Sequence, residues 1–309
     1  MSFINIPVKK SYFLLSYNRF TSSVGFFDRF SHNWWDIDGD MSVLHDYNQV
    51  RIPFIANSYI NRKKDKVETG SYNSDNTSNP FLFTQFGIFK EPYKRSTVHI
   101  ESVLKGLKIL DVGCGGGILT ESLAKFGSKV LGIDPNEQLI EVAKSHKKTH
   151  FDDYHLRLGL RNDYCNNLDY KSISVYDFLT DKTRASFDIV VASEVIEHVE
   201  NREKERFLEA LTSLVKPGGL FVITTPGSSL LSYFVNVFLA ENLLSKVPKH
   251  THDFDLFISP RNCSRILKKL NFDPVSIQGL LYLPFLRRFF HINSPDLLYM
   301  YSFTTSDTG

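Results

Sequence analysis

The sequence predicts an α/β protein built around a parallel sheet. Short apolar runs alternate with amphipathic stretches over most of the chain, a glycine-rich turn directly follows the first of these runs, and an acidic residue closes the second.

The runs read as successive strands at 108–112, 129–133, 172–176, 187–192 and 220–225, each bounded by Gly, Pro or Asp. Helical spacing fills the gaps. Leu119, Leu123, Ala124 and Phe126 follow the glycine turn; Leu139, Ile140, Val142 and Ala143 mark a helix over 136–148; and Phe207, Leu208, Leu211 and Leu214 mark one over 203–215. Ser259 before Pro260 is an N-cap with proline in the first turn and opens a helix through Leu270. Residues 61–80 are polar and aperiodic, as in a loop or insertion, and there is no internal repeat.

Composition narrows the function classes. At 309 residues and 42% hydrophobic, the chain can bury a sizeable core, and we read it as one elaborated domain. Lys+Arg 36 against Asp+Glu 34 leaves a formal charge of +2, too balanced to argue for nucleic acid by bulk electrostatics, so no nucleic-acid partner is expected and any basic surface must be local. Cys114, Cys165 and Cys263 form no CxxC pair, which excludes a disulfide framework or cysteine zinc site and suits a reducing compartment. No apolar run reaches the roughly 18 residues of a membrane span. The first 27 residues contain no Asp or Glu but carry Lys9, Lys10, Arg19 and several serines, a composition of the mitochondrial transit type. The expected organisation is a leader over 1–27 and a catalytic domain over 28–309, with insertions at about 61–96, 152–169 and 228–245.

The glycine turn is Gly113-Cys114-Gly115-Gly116-Gly117, and Asp134 ends the next strand about 20 residues on, where a carboxylate can accept from ribose hydroxyls. A dinucleotide turn needs Gly or Ala at the sixth position, and Ile118 stands there. Asp111-x-Gly113-x-Gly115-x-Gly117, with Lys216-Pro217-Gly218-Gly219 before a later strand, instead resembles the class I S-adenosylmethionine-dependent methyltransferases. That resemblance implies a seven-stranded, doubly wound, Rossmann-like sheet.

Further segments narrow the resemblance. Trp34-Trp35-Asp36 with Leu44-His45 and Asn48 to Arg51, then Ser193 to Val199, Val247 to Asp253, and Gly279 to Tyr282 with Pro284-Phe285, are similar to the ubiquinone-biosynthesis O-methyltransferases, which methylate polyprenyl catechols. The resemblance spans roughly 33–303 and implies that Arg51, Gly113, Gly115, Asp134 and Ser193 contact S-adenosylmethionine, with Asp177 near its adenine. Arg51 suits the methionyl carboxylate, since a guanidinium binds carboxylates in bidentate fashion. The chain departs from the family at His250, where Gly is usual, and at Pro226-Gly227, where Asn is usual, and both departures bear on the substrate-side loops.

Glu194, Glu197 and His198 fall at i, i+3 and i+4, so a helical turn there would project all three from one face. Two carboxylates and an imidazole suit a divalent cation, and the resemblance assigns Mg2+; the same spacing also fits a solvated acidic helix start. His252 is the candidate general base, with His198 as the alternative, and a structural His252 bonded to a loop carbonyl fits equally well. The apolar stretch 228–245 reads as an interfacial helix or a lid over the catechol pocket, with Lys246, Lys249, Arg287 and Arg288 as a basic rim. The implied setting is the matrix side of the mitochondrial inner membrane, with peripheral contact to it, a polyprenyl catechol lipid as substrate and a ubiquinone-biosynthesis protein complex as partner. Two rival readings stand beside it: a methyltransferase for another phenol or lipid, and a non-catalytic scaffold that binds the donor.

Overall fold

The computed structural model describes residues 33–63, 97–152, 165–227 and 256–306. The expected leader, the 228–245 stretch, His250, His252, Lys246 and Lys249 lie outside the described residues.

The elements, in chain order, are α1 (Ser42–Asn61), α2 (Thr97–Leu104), β1 (Lys108–Val112), α3 (Ile118–Ala124), β2 (Lys129–Asp134), α4 (Glu137–His146), β3 (Leu168–Ser172), α5 (Val175–Phe178), β4 (Phe187–Ser193), α6 (Lys204–Thr212), β5 (Val215–Pro226), α7 (Pro260–Lys269), β6 (Phe272–Leu283), β7 (Arg288–Ile292) and β8 (Leu298–Thr305). The sheet order is β3-β2-β1-β4-β5-β8-β6-β7. The first five strands run parallel, and β8, β6 and β7 add antiparallel pairings at one end.

Both faces of the sheet's centre are buried because β1, β2, β4 and β5 carry apolar residues at consecutive positions. Ile109 and Val191 point into one core with α1 to α4, while Leu110 and Val190 point into the other with α5 to α7. This is the doubly wound arrangement. Local chemistry sets the helix starts: Asn136 accepts from the Leu139 N–H at 3.1 Å, and Ser259 accepts from the Asn262 N–H at 3.2 Å.

The structure corrects three boundaries. The third strand is Leu168–Ser172, not 172–176, because the Ser174 hydroxyl accepts the Asp177 N–H at 3.2 Å and turns Val175–Phe178 into a helical turn. Leu168 and Asp169, read as the end of an insertion, are the first residues of that edge strand, whose half-buried pattern shows little hydrophobic periodicity. Val215, expected to end a helix, opens β5, and the Lys216–Gly219 segment is accommodated by a register shift against β4. The described sheet also has eight strands, one more than the seven expected. The chain reverses through the 3-10 turn Pro284–Leu286, and β7 pairs along the outer edge of β6.

Candidate active site

The strand order reverses between β1 and β4, and a crevice opens there beyond the carboxyl ends of the strands, as expected at such a switch point. It is a cavity of about 680 Å³ whose lining includes Trp34, Arg51, Asp111, Gly113, Gly115, Asp134, Asp177, Ser193, Glu194 and His198. Except for residues outside the described segments and Glu197, the sequence-expected site residues therefore converge on one space.

One wall is the glycine turn. Gly113 has φ 73, and a Cβ there would collide with the Val195 side chain. Gly116 needs no unusual φ but cannot carry a side chain either, because the Trp34 indole lies where its Cβ would be. Trp35 donates from Nε1 to the Gly116 carbonyl at 3.0 Å and stacks on His146, with ring centroids 3.4 Å apart, while His146 Nδ1 meets the buried Glu121 carboxylate at 2.9 Å. The tryptophan pair, visible in the sequence only as a landmark, thus fastens the segment before α1 over the turn.

Asp134 also holds this turn. Its Oδ2 accepts from the Gly115 N–H at 2.9 Å and its Oδ1 from the Asn136 N–H at 2.8 Å, and burial raises its pKa despite both bonds. Asp177 is exposed at the cavity rim, where its Oδ2 accepts from Ser174 Oγ at 2.6 Å.

Arg51 comes from α1 and is 4% exposed. Nη1 donates to Ser193 Oγ at 2.8 Å, Nη2 donates to the Leu44 carbonyl at 2.9 Å and to Asn48 Oδ1 at 2.6 Å, and Nε has no hydrogen-bond partner among the described residues. A buried guanidinium with an unused N–H on a cavity wall suits an anionic ligand group.

The acids follow the carboxyl end of β4, and of the two Glu194 lines the cavity while Glu197 does not. Glu194 adopts φ 57, a left-handed conformation that is unfavourable for a residue with a Cβ. Thr224 secures it from both sides: its carbonyl accepts the Glu194 N–H at 2.9 Å, and its hydroxyl donates to Glu194 Oε1 at 2.7 Å. Thr225 does the same for the neighbouring acid, donating to Glu197 Oε2 at 3.0 Å. Neither threonine was singled out from the sequence. Their one signal was position, at the carboxyl end of a parallel strand. Ser193 and Thr224 Oγ atoms lie 2.7 Å apart, so a continuous polar chain runs from Arg51 to Glu194.

The single helical turn that the acid spacing assumed is absent. Glu194 is left-handed, and Ile196–His198 is a separate 3-10 turn. Among the described residues, no three His, Cys, Asp or Glu side chains form a metal-holding group. The donor chemistry nevertheless fits a cation. Burial and then the charge of Glu197 push Glu194 above the usual carboxylate range, and burial raises Glu197 as well, so a nearby positive charge would favour the ionised pair. Burial lowers His198 to about 4, which leaves its imidazole neutral, the form that binds metals and a weak base at neutral pH.

Asp111, at the end of β1, is 2% exposed, accepts from Thr120 Oγ1 at 2.7 Å, and is raised by burial to about 6. An unfolded aspartate titrates near about 3.9, so the folded chain holds the extra proton between these values, and stability falls as pH rises through that window. Asp111→Asn keeps an acceptor for Thr120 and removes the titration. Denaturant melts should show it matching the parent below about pH 4 and exceeding it by about 3 kcal/mol near pH 7.5.

The doubly wound sheet, the glycine turn and the ligand crevice at its switch point define a class I S-adenosylmethionine-dependent methyltransferase. The methyltransferase-domain family matches residues 89–277, and the magnesium protoporphyrin IX methyltransferase of Synechocystis, solved with bound SAM, shares the fold at a TM-score of 0.53 and 14% identity over 98% of this chain and 100% of that one. The sequence is 32% identical to the ubiquinone biosynthesis O-methyltransferase of Methylococcus capsulatus, covering 87% of each chain, and 35% identical to the mitochondrial one of Rattus norvegicus, covering 84% of this chain and 62% of that one. The chain belongs to the ubiquinone biosynthesis O-methyltransferase family. It spans 62% of the rat relative and 57% of the human one.

Proposed function

We propose that this protein transfers a methyl group from S-adenosylmethionine to a hydroxyl of a polyprenyl catechol, either polyprenyl dihydroxybenzoate or demethylubiquinol. The observation that carries the reading is one cavity lined by Arg51 and the glycine turn, which suit the donor, and by Glu194, joined to Arg51 through Ser193 and Thr224.

Arg51 and Ser193 hold the methionyl end, Gly113 and Gly115 let the donor lie against the backbone, and Asp134 and Asp177 face its ribose and adenine. Glu194, Glu197 and His198 are the residues that would hold Mg2+. A cation there supplies positive charge that favours the phenolate over the phenol, whose pKa near 10 otherwise leaves it a poor nucleophile at neutral pH. Thr224 and Thr225 fix the carboxylates before substrate arrives. Trp34 closes the glycine turn from above and so sets how deep the donor can sit. Transfer consumes the sulfonium charge, so alignment of oxygen and methyl is the main demand on the protein, worth about 7 to 11 kcal/mol. His252 stands as general base, with His198 a poor alternative given its lowered pKa.

The proposed setting is mitochondrial and peripheral to the inner membrane on its matrix side, reached through the 1–27 leader, with the rest of the chain as the catalytic domain and other ubiquinone-biosynthesis proteins as partners. Among the described residues, no helix is long and apolar enough to cross a membrane. The test is transfer of labelled methyl to a short-tailed prenyl catechol, with magnesium and with chelator. Transfer that stops with chelator and returns with magnesium is expected. Donor binding with no transfer under any divalent metal would favour the scaffold reading.

A further inference from the structure

The turn between β6 and β7 exposes apolar side chains to an unusual degree. Phe285 is 80% and Leu286 49% exposed on Pro284–Leu286, a turn with no buried residue. Ile37, 60% exposed, lies beside them, because Arg287 donates from Nη2 to the Ile37 carbonyl.

Arg287 braces this arrangement. It has φ 50, its Nη1 donates to Asp38 Oδ1 at 2.6 Å, and its Nε donates to Asp46 Oδ2 at 3.2 Å, an atom that also accepts from the Tyr282 hydroxyl at 2.8 Å. The turn is thereby tied to the segment leading into α1, and its apolar side chains are held outward. The sequence placed Arg287 and Arg288 together in a basic rim. In the structure Arg287 is committed to two carboxylates, and Arg288 is exposed at the first position of β7.

Register gives the turn its direction. Pro226 at the end of β5 pairs with Leu298 of β8, and Leu298 pairs with Leu280 of β6. Because β6 runs in the same direction as β5, the residues after Leu280 project past the carboxyl ends of the parallel strands. That edge also opens the cavity, whose lining includes Gly113 and Ser193.

We propose that this turn is a lipid-contacting tip: Phe285, Leu286 and Ile37 enter the interface of an anionic bilayer, Arg288 sits at headgroup level, and the cavity mouth faces the membrane. A convex tip of three apolar side chains is far smaller than the roughly 800 Å² per partner of a stable protein interface, yet it is the size and shape that an interfacial layer accepts. Arg287 pairs with Asp38, one of the two exposed carboxylates that flank Ile37, and Arg288 supplies the positive charge for anionic headgroups. The proposal rests on the reading above only in that a polyprenyl substrate resides in such a bilayer.

The test uses the full chain and sedimentation with phosphatidylcholine vesicles, with and without cardiolipin. The double variant Phe285→Ser/Leu286→Ser should lose about tenfold or more in partitioning to both vesicle types. Arg288→Glu should lose affinity only for the cardiolipin vesicles. Emission from Phe285→Trp should shift to the blue when vesicles are added. Thermal melts, donor affinity and methyl transfer to a short-tailed catechol should match the parent in every variant, since these side chains touch neither core nor cavity. Variants that sediment like the parent, or emission from Phe285→Trp that vesicles leave unchanged, would overturn the tip. Failure of the parent to methylate any catechol would instead sink the functional reading while leaving the vesicle result standing.

Discussion

Glu194→Ala should abolish methyl transfer, by about 10³-fold or more, while donor affinity stays near the parent value. The magnitude follows from losing a carboxylate that would hold the proposed cation, whose positive charge would favour the phenolate. The selectivity follows from position. The donor wall is organised by Arg51, the glycine turn and Asp134, and Glu194 stands at the far end of the Ser193–Thr224 chain, where Thr224 can still donate to Ser193. Folding should not suffer, because Glu194 occupies a left-handed conformation and its carboxylate is held above its usual pKa range, both of which oppose its presence. Glu194→Gln separates charge from shape: it retains an acceptor for Thr224 and should be as inactive as the alanine variant. Activity should be measured under magnesium and under chelator, and donor affinity by titration with S-adenosylhomocysteine. Equal loss of donor binding and transfer would place Glu194 on the donor side and remove the cation role. Substantial activity in Glu194→Gln would show that the charge is dispensable.

The parts of the fold that were legible in the sequence are those where one physical demand dominates. Strands β1, β2 and β4 are buried on both faces, so continuous apolar runs revealed them, and the glycine turn between β1 and α3 announced itself because Gly113 requires positive φ. The edges were harder to read. Strand β3 is half solvated and β7 is short, so neither carries a strong pattern, and the Ser174 cap outweighed the strand-like Ile173-Ser174-Val175. The same holds at the site. Arg51, Gly113, Asp134 and Ser193 were named from family resemblance and converge on the cavity, but the residues that orient the acids were not found. Thr224 and Thr225 act through hydroxyls at a strand end, where the local sequence reads only as β-branched residues suited to a sheet. The acid spacing suggested a helix, and the left-handed Glu194 shows why spacing alone misleads: Glu194 and His198 both line the cavity without sharing a helix face, and Glu197 does not line it.

Arg51→Ala should be the most damaging single change to the fold and to donor binding together. The guanidinium is buried, and its carbon lies 4.6 Å from the Tyr47 ring centroid, so its removal deletes three hydrogen bonds and a cation–π contact at once. It also strips the neighbouring acids of a positive charge: the attraction of Arg51 favours the ionised forms of both Asp111 and Glu194. Removing one partner from a buried charged network costs about 3 to 5 kcal/mol. Arg51→Lys keeps the charge but cannot reach Ser193, Leu44 and Asn48 together, so it should recover part of the stability and little of the donor affinity. That split is informative. A purely structural arginine would regain stability and donor affinity in parallel on going from alanine to lysine. An arginine that presents its unused Nε–H to the donor carboxylate would regain stability first and leave the dissociation constant for S-adenosylhomocysteine raised by about tenfold or more. Denaturant melts and donor titrations on the two variants read the two quantities independently, and parallel recovery would return Arg51 to the role of a strut between α1 and β4.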